Sequence, residues 1–233
     1  MNKKKVQFIN DEYYHVYNRG VDKRIIFESL EDIERFFLSM REFNDINPIG
    51  SIYEETLIKN KTQKFGSSTP KLFSRKRKEG LVEFVCYNLL PNHYHFLVRQ
   101  IMEGGVRKFM HKIGTGYTNY FNKKNQRSGS LFQGRYKAIH VNSNEYLLHL
   151  SVYINLNHRV HNLEKFGSST PKLFKSSWEE YLGNNSGEEI CSKDIILNQF
   201  DSQKSYQKFS EESLIRIKES KEIQRYLLEE SNS

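Results

Sequence analysis

The residues best suited to chemistry are His93 and His95, one tyrosine apart in the stretch LLPNHYHFLV at 89–98. In a β-strand residues i and i+2 project from the same face, so both imidazoles would stand side by side. Two such nitrogens can share one cation if a third ligand arrives from elsewhere. HxH pairs also arise by chance, and a single histidine is often just a packed residue. Further along, Tyr153 and Asn157 are four apart, one helical turn on a common face, with His149 a turn earlier. A phenol with a pKa of about 10 is a poor nucleophile, but a nearby cation stabilises the phenolate and polarises a phosphate oxygen. The chain has 14 tyrosines, so Tyr153 is one candidate among several. Tyr117 and Tyr120 read as members of a helix seam and Tyr146 as half-buried.

Charge adds a second indication. The 233 residues include 36 Lys+Arg against 28 Asp+Glu, a formal net charge of +8. Residues 99–140 contain nine basic side chains (Arg99, Arg107, Lys108, Lys112, Lys123, Lys124, Arg127, Arg135 and Lys137) and one acid, Glu103. That segment alone therefore carries a charge equal to the whole chain's, and phosphate is the matching partner for so one-sided a block. Phe132 and Tyr136 interleave with Arg127, Arg135 and Lys137, the pattern in which bases stack while cations hold a backbone. The same two rings would equally suit packing on a sheet. Charge alone does not separate DNA from RNA, or either from an acidic protein.

The elements that must position these groups follow from periodicity. Tyr13–Asn18 is β-rich and ends at Arg19-Gly20, and Glu31–Phe43 places Ile33, Phe36, Phe37, Met40 and Phe43 at helical spacing. Val82–Leu90 and Tyr94–Arg99 read as strands flanking Pro91-Asn92, and Val106–Phe121 as a helix weakened by Gly114 and Gly116. Arg135–Val141 reads as a strand and Glu145–Asn157 as a helix, with a further helix around 209–229. This β-α-β-β-α-β order predicts an α+β fold, a ferredoxin-like (split βαβ, RRM-like) antiparallel sheet with helices on one face and a C-terminal helical extension. The decapeptide KFGSSTPKLF occurs twice, at Lys64–Phe73 and Lys165–Phe174. Its Gly-Ser-Ser-Thr-Pro core is loop chemistry, which reads as two insertions into surface loops. The expected organisation is one domain over 1–183, with inserted loops at about 49–80 and 163–175, and an extension over 184–233.

Composition narrows the setting. No apolar run approaches the ~20 residues of a membrane span, and the N-terminus lacks the apolar core of a signal peptide. Two cysteines, Cys86 and Cys191, make neither a disulfide framework nor a CxxC metal site. The expected setting is cytoplasmic, at the nucleoid, without a membrane partner.

Four motifs in order carry a family likeness: YYHVYNRG at 13–20, LLPNHYHFLV at 89–98, GSLFQGRYKA at 129–138 and YINLN at 153–157. With SSWEEYLG at 176–183, the chain resembles REP-associated tyrosine transposases, a branch of the single-tyrosine HUH transposase superfamily, from about Glu12 to Gly183. The resemblance implies that His93 and His95 bind a divalent ion, Mg²⁺ or Mn²⁺, with Asn157 as the polar third ligand and Tyr153 as nucleophile. It implies cleavage and rejoining of single-stranded DNA beside a hairpin through a 5′-phosphotyrosine, by a monomer or homodimer. The DNA would be gripped by Arg19, Arg107, Lys108, Lys112, Lys123, Lys124, Arg127, Phe132, Arg135, Tyr136 and Lys137. Asn155 departs from the family, whose members often carry Glu in a YIExN pattern. That departure keeps open a domesticated protein that binds structured DNA without cutting it.

Overall fold

The computed structural model describes residues 6–47, 52, 80–163, 173–184 and 188–230, with side chains to 220. Most of the two stretches expected to be inserted loops, including the first decapeptide and all but the last two residues of the second, lies outside the described residues.

Five strands form one sheet: β1 Tyr13–Arg19, β2 Val82–Leu90, β3 His93–Gln100, β4 Lys137–His140 and β5 Lys175–Ser176, in the order β4-β1-β3-β2-β5 with every neighbour antiparallel. The first four, with α1 (Leu30–Glu42) and α2 (Gly105–Lys124) as crossovers, make the split βαβ topology that the element order predicts. Alternation along the strands divides the side chains between two faces. Tyr14, Val16, Phe84, Tyr94, Phe96 and Val98 meet Ile33, Phe36, Phe37 and Met40 of α1 and Phe109, Ile113 and Tyr117 of α2 on the first face.

The second face is covered as well. Val85, Cys86 and Leu97 meet Leu147, Leu150, Val152 and Ile154 of α3 (Asn144–Asn155). This layer also takes in Trp178 and Tyr181 of α5 (Trp178–Tyr181), Ile196 of α6 (Asp194–Leu197), and Tyr206 and Leu214 of α7 (Gln203–Glu230). The expectation of helices on one face thus holds for the crossovers α1 and α2 only. A register shift between Phe84 and Cys86 turns two consecutive apolar side chains of β2 toward the second face, and that surface has to be buried. The extension is tied in by backbone too: Ser192 donates to the Phe84 carbonyl (2.8 Å), and the buried Glu180 carboxylate accepts from the amides of Ile190 and Cys191. Among the described residues no helix is long and apolar enough to cross a membrane.

Two glycines have steric reasons. A Cβ on Gly116 would stand 2.5 Å from the Phe43 ring, so the residue that weakens α2 also lets the end of α1 approach it. A Cβ on Gly20 would stand 2.2 Å from the Arg24 carbonyl oxygen, so this extended residue, which continues β1 and bridges to Phe132, has no room for a side chain.

The start of α1 depends on one buried carboxylate. Asp32 closes a capping box with Ser29 and accepts from the Glu28 amide (2.9 Å), the Tyr120 hydroxyl (2.9 Å) and Lys124 Nζ (2.6 Å). Replacing it strands a partly buried ammonium and several donors. Asp32→Ala is expected to destabilise the fold by about 3 kcal/mol in urea denaturation, and Lys124→Met by clearly less, because Asp32 keeps its other donors.

Candidate active site

The second face of the sheet carries the site. β3 presents His93 and His95 there, and β1 adds His15 and Tyr17, with Tyr17 opposite His95 and Arg19 opposite His93 in the register. The rings of His93 and His95 are 5.1 Å apart, centre to centre. Tyr153 of α3 stands edge-on to this group, its ring 5.7 Å from His95 and 6.4 Å from His15. The histidine pair and Tyr153 therefore meet within one chain. His149, by contrast, packs on Phe209 of α7. Tyr117 and Tyr120 bond the Ile26 carbonyl and Asp32, as expected of a seam.

Each histidine of the pair has a partner on Nδ1. His95 Nδ1 is 2.9 Å from Nε2 of the buried His15, and His93 Nδ1 is 2.6 Å from Asn92 Oδ1. Tyr17 stacks on His95 at 5.5 Å. Burial lowers the His15 pKa to about 4, so this imidazole is neutral at pH 7. The exposed His161, beyond the end of the tyrosine helix, places its ring 5.4 Å from His93.

The tyrosine helix is shorter than its periodicity predicts. It stops at Asn155, Leu156 leaves the helical path, and Asn157 opens a separate turn, α4 (Asn157–Val160). Tyr153 and Asn157 are thus not on one unbroken helical face. Asn157 is fully buried, and among the described residues neither of its side-chain amide atoms has a hydrogen-bond partner. An orphaned buried amide is costly unless something polar meets it. Among the described residues no three His, Cys, Asp or Glu side chains form a metal-binding group. His93 and His95 present two imidazoles on one face, and Asn157 is a buried amide whose oxygen has no partner among the described residues.

Residues that the sequence reading passed over hold this helix in place. Asn88, opposite His95 on β2, donates from Nδ2 to the carbonyls of Ile154 (2.8 Å) and Asn155 (3.3 Å) at the helix end. Asn155 is buried, donating to the Tyr206 hydroxyl (3.1 Å) while its Oδ1 accepts from the Ser177 hydroxyl (2.6 Å). His158 stacks on Phe174 at 4.3 Å. Of these only Asn155 stood out beforehand, and as a departure from a pattern rather than as a clamp.

The basic segment divides by what its side chains touch. Arg99 pairs with Glu83 and Asp11, Lys112 bonds the Asp45 carbonyl, Lys124 bonds Asp32, and Arg127 bonds Asn122 and the Ser130 carbonyl. These four are bound into the fold. Phe132 is buried with its ring 5.8 Å from Tyr94, so packing is the reading the geometry takes for it. Arg19 Nε donates to Gln133 Oε1. Arg107 and Arg135 line a groove of about 1110 Å³ with His111, Thr115, Asn119 and Tyr136, floored by Asn18 and Tyr94 of the first face. Lys137, on β4, has its ammonium 5.9 Å from the Tyr17 ring, and Lys108 and Lys123 lie on the outer side of α2.

Residues 51–157 match the family model of IS200-like transposases, a span that contains His93, His95 and Tyr153 and ends on Asn157. Over that span the chain is similar to IS200-like transposases. No curated protein matches the sequence. Among solved structures, a REP-associated tyrosine transposase bound to a REP hairpin is 14% identical, with a TM-score of 0.44 over 81% of this chain and 93% of that one. So loose a likeness carries neither a ligand nor a residue's role across.

The Asn155 environment yields a direct prediction. Its side chain bonds the Tyr206 and Ser177 hydroxyls, neither of them charged, so a carboxylate there would be buried among neutral partners. Asn155→Glu, which restores the common family residue, is expected to lower stability by about 3 kcal/mol, measured by chemical denaturation, and to give no gain in DNA cleavage.

Proposed function

We propose that this protein is a divalent-cation-dependent enzyme that cuts and rejoins single-stranded DNA beside a hairpin, using Tyr153 as the nucleophile. The observation that carries the reading is the Tyr153 ring standing against His95, on the face that also presents His93. The similarity of residues 51–157 to IS200-like transposases supports it independently.

The residues divide the work as follows. His93, His95 and the Asn157 amide oxygen would hold Mg²⁺ or Mn²⁺. When bound, the cation supplies charge to polarise the scissile phosphate and stabilise the phenolate. Tyr153 Oη bonds to phosphorus as the bond to the 3′-oxygen breaks, and the proton lost by the phenol ends on the leaving 3′-hydroxyl. The bond energy stays in the 5′-phosphotyrosine, so an incoming 3′-hydroxyl can reverse the step without an external energy source. A helix anchored by Asn88 and Asn155 keeps the phenol near the histidines, which lowers the entropic cost of attack. Arg107 and Arg135 offer the paired part of the DNA a basic groove, and Lys137 lies toward the site face. The burial of Asn155 in a satisfied network gives its departure from the family pattern a structural cause. It therefore does not favour a decayed, non-cleaving protein.

Two outcomes test the reading. Incubated with hairpin oligonucleotides and Mn²⁺, the wild type is expected to form a covalent adduct that survives a denaturing gel. Tyr153→Phe should form none while keeping its thermal melt and hairpin affinity, and an adduct persisting in that variant would refute the assignment. Arg107→Ala and Arg135→Ala are each expected to weaken hairpin binding and to lower the salt slope of the binding constant by about 1. Lys124→Met should leave that slope unchanged, since its ammonium is held by Asp32.

A further inference from the structure

A neutral imidazole carries one N–H. A ring that ligates a cation through Nε2 must keep its proton on Nδ1, and a hydrogen-bond acceptor at Nδ1 sets both the tautomer and the ring orientation. We propose that Asn92 and His15 are positioning residues that hold His93 and His95 in the Nδ1–H form, so that both rings offer Nε2 to the cation. This rests on the reading above that His93 and His95 are cation ligands.

For His93 the assignment follows from chemistry. Asn92 Nδ2 donates to the Lys23 carbonyl (3.4 Å), which turns the amide oxygen toward His93 Nδ1 at 2.6 Å. An amide oxygen only accepts, so Nδ1 of His93 is the donor. Asn92 sits in the turn that joins β2 to β3, immediately before the histidine it orients. Its place in the hairpin thus supplies the partner without any long-range contact.

For His95 the acceptor comes from the neighbouring strand. His15 Nε2 lies 2.9 Å from His95 Nδ1 within the buried layer, and the two rings are close to parallel, at 25°. Tyr17 touches both, tilted on His15 at 4.8 Å and stacked on His95 at 5.5 Å, which restrains either ring from turning over. Of the two ways to share the proton, the one with His95 donating leaves Nε2 to ligate. The reverse puts the His95 proton on Nε2 and blocks it. Both partners are uncharged, unlike the carboxylates that often stand behind metal-bound histidines. They fix geometry and raise the basicity of the ligands less than a carboxylate would.

The test reads the tautomers directly. In metal-free, full-length protein with ¹⁵N-labelled histidine, long-range ¹H–¹⁵N correlations are expected to show His93 and His95 as Nδ1–H. Mn²⁺ titration followed by electron paramagnetic resonance gives the affinity. His15→Leu should release the His95 tautomer and weaken Mn²⁺ binding about 10- to 100-fold. His15→Gln, whose amide oxygen can accept, should recover most of that loss. Asn92→Ala should do the same to His93, and it carries the test if His15→Leu does not fold. Wild-type tautomers and affinity in folded His15→Leu and Asn92→Ala would overturn the proposal. A wild type that binds no Mn²⁺ while showing both Nδ1–H signals would instead overturn the cation reading, and the proposal with it.

Discussion

The pairing of β1 with β3 sets what every other part of the site can do. Tyr17 lies opposite His95 and Arg19 opposite His93, so His15, Tyr17, His93 and His95 emerge on one face while Tyr14, Val16, Tyr94 and Phe96 enter the core on the other. A slip of β3 by one residue would send His93 and His95 into the α1–α2 core and turn Tyr94, Phe96 and Val98 out of it. The burial of those side chains holds the register, and the register assembles the site. The tyrosine helix then adds Tyr153 from above. Leu147, Leu150 and Ile154 press it on Val85, Cys86 and Leu97, and the polar anchors Asn88 and Asn155 fix how far along the sheet it sits.

The basic charge has a divided role. Arg99, Lys112, Lys124 and Arg127 face protein oxygens and hold loops and helix ends, whereas Arg107 and Arg135 line a groove on the first face. Tyr153 and the histidines occupy the second face. At the β4 edge of the sheet Lys137 lies beside Tyr17, so in the proposed function this edge is the route by which one DNA would engage both faces. This division suits a substrate with two parts, one held by its backbone and one delivered to a nucleophile.

Much of this was legible in the sequence because the relevant signals are local. The alternation of His93-Tyr94-His95, the helical spacing of Ile33, Phe36, Phe37 and Met40, and the strand-turn-strand around Pro91-Asn92 all reappear in the fold at nearly the same boundaries. Long-range or subtle features did not show. His15 meets His95 from a strand 80 residues away, and Asn155 meets Tyr206 across 51 residues, so neither has a spacing that announces it. The second helical layer depends on a bulge in β2 that periodicity does not register. The break at Leu156 contains no proline or glycine, and it separates Asn157 from the helix of Tyr153 where a repeat of four predicts continuity. Counting basic residues located the segment 99–140 but did not sort those bound into the fold from those facing the groove.

The central claim is that the proposed nucleophile Tyr153 and the histidine pair work within the same chain. Mixing His95→Ala protein with Tyr153→Phe protein tests this most directly, with covalent capture of a hairpin oligonucleotide in Mn²⁺ as the readout. A site built within one chain predicts no adduct at any mixing ratio, because neither chain holds both groups. Restoration of the adduct by mixing, when each variant alone gives none, would show that the tyrosine works on a partner's histidines and would contradict the account.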